Sequence, residues 1–375
     1  MKIVQYNLTT TTKEGGVETF VWELSRHLAR RGHTVTIVGG AGSISRTVPG
    51  VRVLRFPFVD RMAWRSLRLL RRHIELTKLL ERVSLLPAAV PNLLSLRPDI
   101  LHLHKPYDFV VGPFLHAVGA KVIYHGHGED FYPLDRPLSR TADAMLSCSG
   151  YNAETIVGHY GTQPEVVFNG FDGALFSPQT ADPLLRARLL APDEYAIVQI
   201  GRLQPWKGIQ YAIEALRLLL PRVKARLLIG GEGTYRGTLE RQVAELGLVK
   251  QVTFLGNVPN REVPRLYALA DVVIGTSFAS ETFGMALCEA LACERPVIAS
   301  DWAGYREVVI DGQTGLIVPA QDPSALAAAI ERLVYDRAES QRLAANGRQH
   351  VHAAFTWEAV TDRVEAVYDR LVRRA

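Results

Sequence analysis

Two glutamates stand eight residues apart in SETFGMALCEA, residues 280–290: Glu281 before Thr282-Phe283-Gly284, and Glu289 after Leu287 and Cys288. The apolar spacing of Met285, Leu287, Cys288 and Leu291 predicts a buried helix beginning near Phe283–Gly284. Glu281 then sits at the mouth of the helix and Glu289 about two turns down it. At ~1.5 Å of rise per residue the two are roughly 12 Å apart along the axis, about the reach from sugar to ribose in an extended nucleoside-diphosphate-sugar. Backbone N–H groups left unpaired at the helix start suit a diphosphate between them. The same spacing is also met by a solvated glutamate and a helix-face glutamate with no shared role.

Three further groups have the residue types for anion or sugar chemistry. Gly201-Arg202-Leu203 and Lys207-Gly208 fall between a strand ending at Ile200 and a helix from Ile209. Arginine can grip a diphosphate with two parallel bonds, and lysine adds a point charge. Gly15-Gly16-Val17-Glu18 lies between the first strand and a helix from Thr19, where glycine lets the backbone approach an anion closely. Two H-x-H pairs, His102/His104 and His125/His127, end two successive strands, with Asp130 just beyond. Residues i and i+2 share a strand face, so a mononuclear metal site is conceivable. No third-ligand spacing accompanies the pairs, and one histidine in the chemistry with three in supporting places is the simpler reading.

The glycine-rich stretches at 40–45 and 231–236 lack the last small residue of G-x-G-x-x-G, which argues against a dinucleotide-dependent oxidoreductase. There is no D-x-D clamp for a metal–diphosphate, so cations and helix starts must neutralise the anion themselves.

The elements needed to position these residues are written in the alternation of apolar strands and amphipathic helices. Strands are expected at Ile3–Tyr6, Thr34–Val38, Val51–Arg55, Ile100–Leu103, Val122–Tyr124, Ala144–Cys148 and Glu165–Phe168. A second series runs through Ala196–Ile200, Arg226–Ile229, Val252–Leu255, Val272–Gly275, Val297–Ala299 and Leu316–Val318. Such alternation predicts parallel sheets covered by helices on both faces, and two series predict two doubly wound α/β domains. With 375 residues, two domains are also the expectation from length. The turn-rich stretch from Asn169 to Pro178 marks the boundary: 1–172, then 173–356, with 357–375 an amphipathic helix.

Three cysteines without a C-x-x-C, and an opening MKIVQY that reads as a strand, point to a reducing cytoplasmic setting. No uninterrupted apolar run reaches membrane-spanning length, since Pro87 and Pro91 break the richest one, Leu85–Leu96. Residues 1–176 hold 20 Lys/Arg against 15 Asp/Glu, so the whole net charge of +5 lies in the first half. Much of it lies in Arg61–Leu86, which reads as a basic amphipathic helix. It is either a solvated face of the first domain or a peripheral contact with anionic membrane at its inner face. No aromatic–basic module for nucleic acid is present.

In order and spacing these pieces resemble the retaining nucleotide-sugar glycosyltransferases of family GT4. Gly15-Gly16-x-Glu18, His104, His127-Gly128, Asn169-Gly170-Phe171-Asp172 and Gly201-Arg202-Leu203 with Lys207-Gly208 all match. So do Gly231-Glu232-Gly233, Ser280-Glu281-x-Phe283-Gly284 with Glu289-Ala290, and Asp311-Gly312-x-x-Gly315. The resemblance implies the GT-B fold, two Rossmann-like domains facing a central cleft, with the last helix packing back on the first domain. It implies metal-free transfer of a sugar from a UDP-, GDP- or ADP-sugar to an acceptor hydroxyl, with no further cofactor.

By the same resemblance, Gly15, Gly16, Gly201 and the Phe283–Gly284 backbone contact the donor diphosphate. Arg202 and Lys207 neutralise it, Glu281 binds donor-sugar hydroxyls, and Glu289 binds the ribose. His127 matches the histidine near the anomeric carbon, and His125 competes because the H-G-H-G repeat allows a two-residue shift. His104 and Asp130 are expected to line the cleft. The acceptor is open and includes a lipid-linked one. Three positions depart from the pattern: Glu294 where glycine is usual, Ala303-Gly304 for Gly-Gly, and Gly275-Thr276-Ser277 for Pro-Ser. A GT-B epimerase or phosphorylase and a non-catalytic nucleotide-sugar-binding subunit are the alternatives.

Overall fold

The computed structural model describes residues 1–132 and 135–373. The chain divides into two compact units, one of Met1–Gly170 with the segment that starts at Trp357, the other of Phe171–Thr356. The first holds β1 (Lys2–Tyr6), β2 (Thr34–Gly40), β3 (Val51–Phe56), β4 (Ile100–Leu103), β5 (Lys121–Gly126), β6 (Ala144–Ser147) and β7 (Glu165–Val166). They form one parallel sheet in the order β3-β2-β1-β4-β5-β6-β7. The second holds β8 (Tyr195–Ile200), β9 (Ala225–Gly230), β10 (Val252–Gly256), β11 (Val272–Gly275), β12 (Val297–Ser300) and β13 (Leu316–Val318). Their order is β10-β9-β8-β11-β12-β13, also parallel throughout. In both sheets the order reverses beside the first strand, and ligands of doubly wound sheets bind at the carboxyl ends next to that reversal.

Strand alternation sorts the first sheet into two faces. Val4, Tyr6, Leu101, Leu103, Val122 and Tyr124 pack against Leu85, Ala89 and Leu93 of the helix Ile74–Leu96. Ile3, Ile100 and Ile123 point the other way. They meet Phe20, Leu24 and Leu28 of the helix Gly16–Arg30 and Val360, Val364 and Tyr368 of the helix Trp357–Arg373. By the two-residue period, Gln5, His102 and His125 belong to this second face. Arg374 and Ala375, the end of the expected C-terminal helix, lie outside the described residues.

Two expectations are corrected here. Pro87 and Pro91 do not interrupt their segment, because the helix Ile74–Leu96 runs through both. Four residues apart, they share its exposed side, where water reaches the carbonyls that lose a partner. This 23-residue helix is long and apolar enough to cross a membrane by length and composition, with 33% of its most apolar window buried. Its buried stripe covers the sheet.

Nor is Arg61–Leu86 one helix. A short helix Arg61–Ser66, capped by the Asp60 carboxylate on the Met62 N–H at 2.7 Å, gives way to turns before the second helix starts at Ile74. Arg61, Arg65, Arg68, Arg71 and Arg72 have no acidic residue among them to offset repulsion at helical spacing, whereas Glu75 supports the next helix start. Arg82 turns inward and pairs with the fully buried Asp108 at 3.2 Å, leaving the surface to the five arginines.

Candidate functional site

In the second unit, a cavity of about 230 Å³ opens at the carboxyl ends of β8 and β11. Gly201, Lys207, Glu281, Gly284 and Glu289 all line it. Gly284, at φ 87°, caps the helix Met285–Ala292, so the helix begins one residue later than the pattern suggested and Glu289 lies in its second turn. A side chain at Gly284 would have to adopt a left-handed backbone and would meet the Tyr305 ring at 2.6 Å. The Glu281 carboxylate accepts the Gly284 N–H at 3.3 Å and forms an ion pair with the Lys207 ammonium. Around Gly201, by contrast, an added Cβ would meet nothing within 4 Å, so this wall of the cavity is open space. Arg202 is exposed and, among the described residues, makes no ion pair. Phe283 is buried under the loop rather than facing the cavity, and only its backbone remains available.

The Glu289 carboxyl has no cation beside it, and burial pushes it up to about 8. At that value it holds a proton through much of the neutral range. Glu281 and Lys207 form an ion pair on the wall of the same cavity.

Residues to which the sequence reading gave no role in the site hold this loop. Gln199 donates from Nε2 to Thr276 Oγ1 at 2.7 Å and to the Lys207 carbonyl at 3.3 Å, and Thr276 donates to the same carbonyl at 2.8 Å. Tyr305 donates to Ser277 Oγ at 2.8 Å, and the Trp302 indole donates to the Glu281 carbonyl at 2.8 Å. The departures at Thr276-Ser277 and Ala303-Gly304 thus sit directly behind the charged pair. A Cβ at Gly304 would lie 2.0 Å from the Glu281 carbonyl, so glycine is required there. The available signal was a lone polar Gln199 inside the apolar run AIVQI.

In the first unit, Gly15 precedes the helix and Gly16 is its first residue, three residues before the expected start. A Cβ at Gly15 would strike Glu18 Oε2 at 2.4 Å, whereas one at Gly16 would meet nothing within 4 Å. Phe20, in the second turn, packs on the rings of His127 and His125 with centroids at 4.6 and 4.8 Å. The four histidines form a stack rather than a converging ligand set, with neighbouring centroids 4.3 to 5.4 Å apart for His125–His127, His102–His104 and His104–His127. Among the described residues, no group of three or more His, Cys, Asp or Glu is arranged to hold a metal ion.

Within the stack only His127 keeps partial exposure. The expectation that His104 and His125 line a cleft is corrected: His104 is 1% exposed behind His127, and His125 is fully buried with Nε2 at 3.2 Å from the Val167 carbonyl. Burial holds all four rings below the ordinary imidazole range. Asp130 is partly exposed and pairs with Lys105, its Oδ1 also lying 3.8 Å from the Lys78 ammonium. Burial alone would raise its pKa, but Lys105 and its neighbours bring it below the usual carboxylate range.

Comparison with known proteins agrees with this architecture. Residues 14–174 match the family described as Glycosyltransferase Family 4, and residues 183–350 match Glycosyl transferases group 1. The chain is 27% identical to D-inositol 3-phosphate glycosyltransferase of Thermomonospora curvata, over 96% of this chain and 91% of that one. It is 32% identical to the GDP-mannose-dependent alpha-(1-6)-phosphatidylinositol monomannoside mannosyltransferase of Mycolicibacterium smegmatis, over 66% of this chain and 70% of the relative. Its fold matches Anabaena Alr3699/HepE, solved with UDP and glucose, with a TM-score of 0.80 at 22% identity over 98% and 99% of the two chains. The chain belongs to the nucleotide-sugar glycosyltransferases of family 4 and is an enzyme of the GT-B fold.

Proposed function

We propose that this enzyme is a retaining, metal-independent transferase that moves a hexosyl or related group from a UDP-, GDP- or ADP-sugar to an acceptor hydroxyl. The observation that carries the reading is the cavity gathering Gly201, Lys207, Glu281, Gly284 and Glu289. In this reading Glu289 holds the ribose hydroxyls and Glu281 the sugar hydroxyls. Lys207 leaves Glu281 to meet the diphosphate, together with Arg202, Gly201 and the Phe283–Gly284 backbone. For Gly15, Gly16 and His127 we keep, as proposals, the roles that the family resemblance gives them.

As the anomeric C–O bond breaks, its electron pair goes to the β-phosphate oxygen, where the cations and the helix N-terminus stabilise the growing charge. The acceptor oxygen bonds the anomeric carbon from the same face and gives its proton to that departing phosphate oxygen, so configuration is retained. Neither a metal nor a covalent enzyme intermediate takes part in this sequence.

The acceptor in this reading is borne by a lipid, and the enzyme works peripherally at the cytoplasmic face of a membrane. The surface around Arg61–Ile74 supports this: Leu69 is 89% and Met62 61% exposed, with Leu67 and Ile74 open beside five arginines. Apolar side chains amid cations suit an anionic bilayer, at roughly 1 kcal/mol for each basic residue near the surface. The M. smegmatis relative is named for a phosphatidylinositol mannoside acceptor. Sedimentation with anionic vesicles is expected at low salt and reduced at high salt, and no binding at low salt would remove the membrane contact.

The donor site is tested by thermal shift with UDP, GDP, ADP and CMP, each with and without EDTA. A shift with one diphosphate that survives EDTA is expected. No shift with any nucleotide would remove the cavity as the nucleotide site.

A further inference from the structure

The glycine-rich stretch at 231–236 follows β9 and packs on the loop after β8. There the ladder of the two strands continues past both of them. The Gly201 N–H donates to the Gly230 carbonyl and the Leu203 N–H to the Glu232 carbonyl, each at 2.9 Å. The Tyr235 N–H donates back to the Leu203 carbonyl at 3.1 Å. Further along the sheet, the Gly231 N–H donates to the Gly256 carbonyl at the end of β10, at 2.7 Å. Arg202 lies between the two bonded residues. Leu203 is fully buried in the core of the second unit, and side chains alternate along such a ladder, so Arg202 projects to the open side.

Two glycines make this approach possible. A Cβ at Gly231, whose φ is 134°, would overlap the Gly201 carbonyl oxygen, and one at Gly233 would overlap that of Leu203. Both obstacles are backbone, so no rotamer change relieves them. To reach ordinary contact the carbonyls would have to move by about 1 Å or more, and the segment that carries Arg202 with them. The Arg202 side chain is exposed and, among the described residues, makes no ion pair. Lys207, by contrast, is held at its carbonyl by Gln199 and Thr276 and at its ammonium by Glu281. The direction in which the Arg202 guanidinium leaves the chain is therefore decided by its backbone.

We infer that Gly231 and Gly233 are positioning residues for Arg202: they seat the Gly201–Leu203 segment against the loop after β9 and so aim the guanidinium at the departing diphosphate. The inference rests on the role given to Arg202 above. A guanidinium grips phosphate oxygens in a fixed fork geometry, and a misplacement of about 1 Å costs much of such a contact.

A double-mutant cycle tests this, read as kcat for hydrolysis of UDP-glucose, GDP-mannose or ADP-glucose, which needs no acceptor. Arg202→Ala is expected to lower kcat by roughly 10²-fold, and Gly233→Ala by roughly tenfold. In the Arg202→Ala background, Gly233→Ala should lower it by less than about twofold, because the group it displaces is gone. Gly237→Ala, whose added Cβ meets nothing within 4 Å, is the control and should leave kcat unchanged. Equal losses from Gly233→Ala in both backgrounds, with Arg202→Ala itself impaired, overturn the inference alone. Unchanged kcat in Arg202→Ala rejects the role of that residue and the inference with it. Where Gly233→Ala fails to fold, amide hydrogen exchange of Leu203 with UDP, GDP or ADP at saturation decides. Protection gained on binding in the wild type and lost in Arg202→Ala supports the link, and an equal gain in both overturns it.

Discussion

Gln5 and Gln199 hold the same place in the two sheets, each the next-to-last residue of the strand beside which the order reverses. They are used in opposite ways. Gln5 bonds side chains, joining His104 to Tyr368 between the sheet and the last helix. Gln199 bonds the Thr276 hydroxyl and the Lys207 carbonyl, and so holds the loop that carries Lys207. The first unit thus presents one partly exposed ring, His127, backed by three buried ones. The second presents partly exposed charges whose strength depends on where a loop is held. Removing a partner should therefore cost the first unit stability and the second unit rate.

Breaking a buried pair in the first unit gives the largest expected effect. Arg82→Met leaves Asp108, with no side-chain exposure, without its cation, and such losses cost about 3–5 kcal/mol. The drop is to be read as ΔG of unfolding in urea. A change below about 1 kcal/mol would mean that water reaches Asp108, contrary to the contrast drawn here.

The corresponding cut in the second unit is Lys207→Ala. Its ion pair with Glu281 is partly exposed, so stability should barely move. The transfer rate should fall by roughly 10²- to 10³-fold, the scale of removing one preorganised charge stabiliser. Unchanged turnover would take Lys207 out of the mechanism.

Glu289 tests a carboxyl of the second unit whose pKa burial raises. Its unfolded carboxyl ionises near 4.5, whereas the folded one keeps its proton to about 8. The unfolded state therefore releases its proton first, and this group's stabilisation is lost as pH rises from about 4.5 to about 8, then levels. Melting temperatures of wild type and Glu289→Gln should diverge across that window, the wild type losing more. A difference constant with pH would show that Glu289 ionises in the folded protein as it does in the unfolded chain. Glu289→Ala should also weaken nucleotide binding by about 1–3 kcal/mol with little effect on turnover at saturation.

The smallest effect concerns Glu294, which stands in the left-handed region at φ 57° after the helix Met285–Ala292. Glycine is free of strain there, so Glu294→Gly should stabilise by at most about 1 kcal/mol once its greater unfolded entropy is counted. A lower melting temperature would mean that the Glu294–Arg348 contact at 3.8 Å outweighs the backbone strain.

All thirteen expected strands are present: the central ones are unbroken apolar runs buried on both faces, and the edge strand Val51–Phe56 was read from its alternation instead. The residues Gly201, Lys207, Glu281, Gly284 and Glu289 were equally legible, the first four because glycines and charges in loops after strands are conspicuous against those runs, Glu289 as a charge on an otherwise apolar helix. Helix limits were less so. Thr19 and Phe283–Gly284 were displaced by one to three residues, because a glycine at a helix start carries no side-chain cap to mark it.

The segment Arg61–Leu86 shows the limit of periodicity. The pattern continues through Leu67–His73, but repulsion among its arginines and the inward turn of Arg82 toward Asp108 depend on what surrounds them. Only the tertiary structure separated His127 from His125 and His104, by leaving partial exposure to one ring of a stack. Only the tertiary structure brought Tyr368 to Gln5, 363 residues away, and set Thr276 behind Lys207. The physical reason is common to these cases. Apolar periodicity and turn chemistry act over a few residues and are written locally, whereas hydrogen-bond direction, burial and charge pairing are decided by neighbours that the chain supplies from elsewhere.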